Sequence, residues 1–170
     1  QKPLQNHGRK RRKTPQRLDK NKKKEYNRGN KTQNQTKKEN VMSEKYHIVT
    51  YGCQMNVHES EKIAGILRGM GYEETQTKED ASVIVFNTCC IRENAENHAF
   101  GNIGALKKMK KNNPDLIIAV GGCMTQEKGK TELLAKKFPF IDVMFGTLNL
   151  EELESLILQK RAQKKKVIRI

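Results

Sequence analysis

Three of the four cysteines in this 170-residue chain share one kind of position, just after a short apolar run typical of a buried strand. They are Cys53, Cys89 and Cys123, preceded by the runs 46–51, 83–86 and 116–120. In an open parallel α/β sheet the carboxyl ends of the strands share one rim, where ligands bind. We therefore expect the thiols to converge, and three soft sulfur ligands at one rim predict a metal or iron–sulfur site.

The residues alone leave other fates of these cysteines open. A buried cysteine is most often a small hydrophobic residue, although three similar placements disfavour that explanation. Zinc sites usually include a close cysteine pair and four ligands, whereas this chain has no such pair and would need His58 or His98 to complete the set. Three thiolates without a nearby fourth ligand better suit a cubane iron–sulfur cluster with one open iron.

The polar residues around Cys89 have two explanations each. Asn87 and Thr88 would either cap the following helix or bond to the sulfurs of a cluster. Arg92 opposes the helix macrodipole, so it would be favoured beside a negatively charged cluster; otherwise it is an exposed arginine paired with Glu96. Cys90 directly follows Cys89, and on an extended strand end their side chains point in opposite directions, so at most one faces the rim.

Strands and helices alternate from residue 46 onward. Strands are predicted at 46–51, 82–87, 116–120 and 141–145, with a weak edge strand at 72–75. Helices are predicted at 59–70, 93–111, 126–137 and 150–163, with Asn149 as the last N-cap and with Leu133 and Leu134 buried. Such alternation implies right-handed crossovers between parallel strands. The predicted fold is α/β, an open, mostly parallel sheet with helices on both faces, in a three-layer Rossmann or flavodoxin-like arrangement.

Positive charge is concentrated in the first 40 residues, which hold 15 lysines and arginines against three acidic residues. We therefore predict a disordered basic extension at 1–42, a folded domain at 43–160 and a basic linker at 161–170. The apolar alternation at 167–170 has no evident partner and is interpreted as the start of a further domain. No secretory signal or membrane-spanning run occurs, so we expect a cytoplasmic protein that does not enter a membrane.

The basic extension contains one dense cluster of charge. Its members are Arg9, Lys10, Arg11, Arg12 and Lys13. Such a cluster attracts RNA through counterion release, without sequence selectivity. The alternative is that the extension is solvated and has no role.

Four segments of the chain resemble the N-terminal domain of the methylthiotransferase family. They are Tyr-Gly-Cys-Gln-Met-Asn at 51–56, Asn-Thr-Cys-Cys-Ile-Arg-Glu at 87–93, Val-Gly-Gly-Cys at 120–123 and Phe-Gly-Thr at 145–147. The similarity covers about residues 45–160, and three separated cysteine motifs agree in order and spacing. Within the family, the first two motifs are most similar to the MiaB branch, which acts on tRNA.

The resemblance implies that Cys53, Cys89 and Cys123 hold an auxiliary [4Fe–4S] cluster, whereas Cys90 falls where relatives usually have serine or alanine and is no ligand. It implies a full enzyme that adds a methylthio group to C2 of N6-dimethylallyladenosine beside the tRNA anticodon. A radical domain with a second [4Fe–4S] cluster and S-adenosylmethionine would generate the radical. The auxiliary cluster would present sulfur, from a sulfur donor, through its open iron.

The chain departs from the family in one respect. It has no C-x₃-C-x₂-C motif for the radical domain and no C-terminal RNA-binding domain. We therefore expect a fragment of the enzyme that has no methylthiotransferase activity alone. The alternative function is a non-catalytic zinc or redox-active thiol module, with a Cys89–Cys90 disulfide as one form of its chemistry and the basic extension as an RNA-binding tail.

Overall fold

Six parallel strands form one sheet in the described part of the chain. The computed structural model describes residues 43–89 and 93–170, and the side chains of 93–95 are not included. The predicted disordered extension at 1–42, with its basic cluster, and the residues Cys90 and Arg92 lie outside this part. The strands are β1 (Lys45–Thr50), β2 (Glu73–Glu74), β3 (Val83–Thr88), β4 (Ile117–Gly122), β5 (Val143–Phe145) and β6 (Val167–Arg169).

The strand order is β2-β1-β3-β4-β5-β6, and every neighbouring pair is parallel. Tyr46 lies opposite Val83, and Val83 lies opposite Ile117, so the three central strands begin in register. The chain adds β2 on one side of β1 and β3 on the other. The carboxyl ends of β1 and β3 therefore flank a topological switch point, the place in open α/β sheets where ligands bind.

Helices connect the strands across both faces of the sheet. They are α1 (Gln54–Gly69), α2 (Glu93–Asn112), α3 (Cys123–Gln126), α4 (Lys130–Lys137) and α5 (Leu153–Gln163), with a 3₁₀ helix (Thr147–Glu152) before α5. Helices α1 and α5 cover one face through Leu67 and Leu156. Helices α2 and α4 cover the other through Ile103 and Leu134. The predicted three-layer α/β fold is confirmed.

Strands β3 and β4 are buried along their whole length. Alternate residues enter the two cores, since successive side chains of a strand point to opposite faces. Val83 and Val85 pack with α1 and α5, whereas Ile84 and Phe86 pack with α2. A strand that is covered on both faces needs a continuous apolar run, which explains why these strands were predicted correctly from the sequence.

Two helix boundaries differ from the sequence predictions. Helix α1 begins at Gln54 rather than at residue 59, since Cys53 is its N-cap and starts the helix inside a polar segment. The helix predicted at 126–137 is divided into α3 and α4 by the turn at Gly129, whose φ of +80° is left-handed. After this break Leu134 is buried, but Leu133 is 44% exposed, so the prediction that both are buried is wrong.

The last third of the domain also differs from expectation. Asn149 is no N-cap of α5: it lies inside the 3₁₀ helix, where its Nδ2 donates to Glu152 Oε1 at 2.9 Å. The apolar alternation at the end of the chain has a partner, because Val167–Arg169 forms β6 beside β5. Val167 N donates to Asp142 O at 2.8 Å and begins this pairing. The expectation of an unpaired segment at 167–170 is therefore wrong.

Candidate metal centre

The three predicted cysteines follow three strands that are neighbours in the sheet. Cys53 comes three residues after β1, Cys89 directly follows β3, and Cys123 follows β4 as the first residue of α3. Adjacent strands lie about 4.8 Å apart, so the three cysteines follow a stretch of rim roughly 10 Å wide. Cys53 and Cys89 stand on the two sides of the switch point between β1 and β3.

The cysteines differ in their access to solvent. Cys53 is exposed, Cys123 is intermediate, and Cys89 is only 2% exposed. Cys89 is therefore the most deeply buried of the three cysteines, and Cys53 and Cys123 lie nearer the protein surface. A ligand would reach the outer two sulfurs more easily than the central one.

Gly52 brings the segment of Cys53 against Cys89. Its φ is +139°, and a Cβ added here would lie 2.5 Å from Cys89 Cβ and 2.3 Å from Asn56 Oδ1. No side chain fits in this space. The backbone before Cys53 thus lies directly on Cys89, which requires glycine for reasons of both conformation and room.

Gly122 brings the segment of Cys123 against the end of β3. Its φ is +99°, and an added Cβ would lie 2.2 Å from Thr88 O and 2.7 Å from Asn87 Oδ1. The backbone before Cys123 therefore rests on the end of β3, next to Cys89. Together, Gly52 and Gly122 join all three cysteine segments.

A buried amide network lies below Cys53 and Cys89. Asn56, 1% exposed, donates from Nδ2 to Asn87 Oδ1 at 3.2 Å and to Thr88 O at 3.3 Å. Asn56 Oδ1 accepts from Cys53 N at 3.2 Å and from Cys53 Sγ at 3.5 Å. Asn87 Nδ2 donates to Asn56 O at 2.8 Å and to Ser60 Oγ at 3.1 Å. This network fastens the start of α1 to the end of β3.

A second set of bonds holds the turn around Cys123. Thr88 Oγ1 donates to Gly121 O at 2.7 Å, linking the ends of β3 and β4. Thr125 Oγ1 lies 2.8 Å from Gly122 O and 2.7 Å from Phe145 O, so this hydroxyl joins α3 to β4 and β5. The turn that carries Cys123 is thus held on both sides.

The other sequence-predicted residues have varied positions. Asn87 and Thr88 are buried and bond to neighbouring backbone and amide groups, as described above. His58 and His98 are exposed, and His58 Nδ1 lies 3.4 Å from Glu61 Oε2. Glu96, the proposed partner of Arg92, forms an ion pair with Lys130.

Tyr51 forms the side of the rim next to Cys53. Its ring stacks on Phe86, with centroids 6.3 Å apart and planes 4° from parallel. Burial raises the pKa of the Tyr51 phenol above its ordinary value, and a hydrogen bond from Asn102 opposes this in part. The phenol is therefore neutral at physiological pH.

The rim presents three thiols, the ligand type that binds both zinc and iron–sulfur clusters. Among residues 43–89 and 93–170, no three His, Cys, Asp or Glu side chains are grouped closely enough to hold one metal ion. One zinc ion needs every sulfur about 2.3 Å from its centre. In a [4Fe–4S] cluster each thiolate binds a different iron, so the sulfurs stand further apart. Gly52 and Gly122 pack directly against Cys89 and the end of β3, so they bring the three cysteine segments together.

No role for Asn56, Thr125 or Ser60 was predicted from the sequence. Asn56 stands in the quoted 51–56 motif, but the helix start predicted at residue 59 placed it in a loop. A polar residue three positions after an N-cap is a recognisable signal, because its side chain can accept the N-cap amide. Thr125 offered no such signal, since its partner Phe145 is 20 residues away.

The family comparison matches the folded part of the chain. The family model described as "Uncharacterized protein family UPF0004" matches residues 45–146, which is more than half of the chain and includes all three cysteines.

In the described part of the chain, no helix has the length and apolar composition required to cross a membrane.

Curated relatives carry the name tRNA-2-methylthio-N(6)-dimethylallyladenosine synthase. The relative from Caldicellulosiruptor saccharolyticus is 53% identical over 129 residues, covering 76% of this chain and 27% of the relative. The relative from Clostridium perfringens is 50% identical over 134 residues, covering 76% and 30%. The relative from Bacillus subtilis is 51% identical over 126 residues, covering 74% and 25%.

The chain thus spans between 25% and 30% of the length of these relatives. Their names agree with the resemblance that the cysteine motifs indicated, and that resemblance is confirmed. By the extent of its match, the chain belongs to the Uncharacterized protein family UPF0004, as the MiaB-type N-terminal domain.

Proposed function

We propose that this chain provides the auxiliary cluster-binding domain of a tRNA-2-methylthio-N6-dimethylallyladenosine synthase. The proposed ligands of a [4Fe–4S] cluster are Cys53, Cys89 and Cys123. The observation that carries the proposal is that three cysteine motifs follow three neighbouring parallel strands and are joined through Gly52 and Gly122. The names of the relatives supply the reaction.

Three protein thiolates would leave one iron of a cubane without a protein ligand. When bound, such a cluster supplies an iron that can hold a sulfur species for transfer to the substrate. The chain's own residues would bind and orient it. Cys53 caps the 16-residue helix α1, whose N-terminal dipole stabilises a thiolate. Cys89, almost inaccessible to solvent, would hold the most protected ligand position.

The substrate in this proposal is tRNA, modified at C2 of N6-dimethylallyladenosine beside the anticodon. The reaction further requires S-adenosylmethionine and a second [4Fe–4S] cluster, which we assign to a radical domain outside this chain, and a sulfur donor. We accordingly place the protein in the cytoplasm. The chain alone is proposed to bind the auxiliary cluster and to have no methylthiotransferase activity.

The test is anaerobic reconstitution of the chain with iron and sulfide, followed by analysis of iron, labile sulfide and zinc. We expect about four irons and four sulfides per chain, as the composition of the cubane requires. Cys53→Ala, Cys89→Ala and Cys123→Ala should each lose most of the iron, because each removes one of only three ligands.

Cys90→Ala is the matched control, since it removes the neighbouring thiol that we exclude as a ligand. This variant should keep the iron content of the wild-type chain. Loss of iron in Cys90→Ala with retention in Cys89→Ala would show that the ligand assignment is wrong. Stoichiometric zinc without sulfide would instead favour a zinc module and contradict the proposal.

A further inference from the structure

We infer that Asn56 is a positioning residue that fixes the distance between Cys53 and Cys89, a role that rests on the proposed function of these cysteines as ligands. Asn56 is no ligand in this inference. Its amide holds the backbone on both sides of the switch point, so that two thiolates from different strands meet one cluster at a constant spacing.

Asn56 bonds to both cysteine segments at once. On one side, its Oδ1 accepts from Cys53 N at 3.2 Å, a bond that a thiolate at Cys53 leaves intact, and in the metal-free chain also from the Cys53 thiol at 3.5 Å. On the other, its Nδ2 donates to Thr88 O at 3.3 Å, and this oxygen belongs to the peptide unit that leads into Cys89. One planar amide group therefore connects the backbone at residue 53 to the backbone at residue 89.

The Asn56 amide group cannot rotate without losing hydrogen bonds. Asn56 is 1% exposed, so no water replaces a broken bond, and a buried polar group left without a partner is destabilising. Asn87, an acceptor for Asn56, is itself held in place. Its Nδ2 donates to the Asn56 backbone carbonyl oxygen and to Ser60 Oγ, and Ser60 Oγ bonds in turn to Thr50 Oγ1 at 2.7 Å. Among the described residues no buried side-chain nitrogen or oxygen lacks a partner.

Position 56 requires a side-chain amide of the length of asparagine. The acceptors Asn87 Oδ1 and Thr88 O face Nδ2 of this side chain, and the donor Cys53 N faces its Oδ1. Aspartate has no donor in place of Nδ2. Serine has a single hydroxyl and is too short to bridge both sides, whereas glutamine is longer by one methylene in a closed space.

Cys123 is not held in this way. Thr125 holds the backbone of its turn, at Gly122 O and Phe145 O, and neither bond reaches the segment of Cys53. Removing the Asn56 amide should therefore disturb Cys53 relative to Cys89 more than it disturbs Cys123, whose segment contacts the same Thr88 and Asn87 oxygens but keeps its own bonds. This selectivity separates a positioning role from a general loss of stability.

The test compares Asn56→Leu, which keeps the branched shape but removes all four hydrogen bonds, with Asn112→Leu at the exposed end of α2. In the metal-free chain, well below its unfolding temperature, alkylation of each cysteine is followed by peptide mass spectrometry. We expect the ratio of the Cys53 rate to the Cys123 rate to rise at least threefold in Asn56→Leu and to stay constant in the control.

The reconstituted chain gives a second readout. Iron transfer to a chelator should be at least fivefold faster in Asn56→Leu, with Cys53 alkylated before Cys123 as iron leaves. Equal changes at all three cysteines would reduce Asn56 to a stabilising residue and overturn the inference, as would no change at all.

A third measurement needs no variant. If Asn56→Leu fails to fold, hydrogen exchange of the wild-type chain decides, because the Cys53 amide should be protected by Asn56 Oδ1, and rapid exchange would overturn the inference. If the wild-type chain binds no [4Fe–4S] cluster, the proposed function fails, while alkylation and exchange still report whether Asn56 holds Cys53.

Discussion

Gly52 is a position where the rim has no room for a side chain. We expect Gly52→Ala to lower the free energy of unfolding by about 2–6 kcal/mol, since both a strained left-handed φ and overpacking contribute about 1–3 kcal/mol each. Its new Cβ would meet Cys89 Cβ at 2.5 Å and Asn56 Oδ1 at 2.3 Å. Urea unfolding followed by circular dichroism measures the loss, and iron content after reconstitution should fall with it.

Gly65→Ala is the control, in the helix that begins two residues after Gly52. Gly65 is an exposed residue in the middle of α1 with no neighbouring atom within 4 Å of an added Cβ. Alanine should raise the free energy of unfolding there by about 0.5–1 kcal/mol because it has the higher helix propensity. Equal effects of the two substitutions would contradict the close contact between Gly52 and Cys89.

At the residue scale, the sequence predicted which residues occupy the rim but not how they are held. Each cysteine followed an apolar run, and a strand end is determined locally by such a run. Asn56 was missed because the predicted helix start at residue 59 concealed its place three positions after the N-cap, and its bonds to Asn87 and Thr88, more than 30 residues away, leave no local pattern. Whether Cys53, Cys89 and Cys123 bind a cluster stays a prediction.

At the element scale, Asp142 connects the two helical layers just before β5. Its Oδ2 accepts from Lys110 of α2 and from Ile118 N, at 2.8 and 3.0 Å, and its Oδ1 accepts from Lys160 of α5 at 2.8 Å. Helices α2 and α5 lie on opposite faces of the sheet. A single 4%-exposed carboxylate therefore pairs with one ammonium group from each layer.

We expect Asp142→Asn to lower the free energy of unfolding by about 2–4 kcal/mol, because it leaves two largely buried lysines without a counterion. Asp115→Asn, at an exposed position, is the control and should change stability by less than about 0.5 kcal/mol. Urea unfolding of both variants measures the difference. A loss in Asp142→Asn no larger than in the control would show that the lysines find water or other acceptors.

Element types were more predictable than element ends. The buried strands β3 and β4 have continuous apolar runs, whereas β6 has only three residues and depends on β5, more than 20 residues earlier. The start of α1 depends on the N-cap Cys53, and the division of 126–137 depends on the left-handed Gly129. Apolar periodicity reports neither feature, because caps and turns are made by polar residues and glycine.

At the scale of the whole molecule, the order of the strands matters more than any single element. Because β2 and β3 lie on opposite sides of β1, the segments of Cys53 and Cys89 meet at the switch point, and β4 adds Cys123 beside them.

Positive charge has a different distribution. The first 40 residues hold 15 of the 34 lysines and arginines, while the remaining 130 hold 19 basic and 16 acidic residues.

This distribution predicts that RNA affinity belongs to the basic extension. Deleting residues 1–42 should lower the affinity for an anticodon stem-loop RNA at least about tenfold at low salt, and should flatten the dependence of affinity on salt, because counterion release scales with the number of neutralised phosphates. Fluorescence anisotropy over a range of salt concentrations measures both. The control is Lys107→Gln, Lys108→Gln and Lys111→Gln together, which removes three exposed charges of α2 and should change affinity little. If the triple variant lost the affinity and the deletion kept it, the folded domain would be the RNA-binding surface, and the extension would be only solvated.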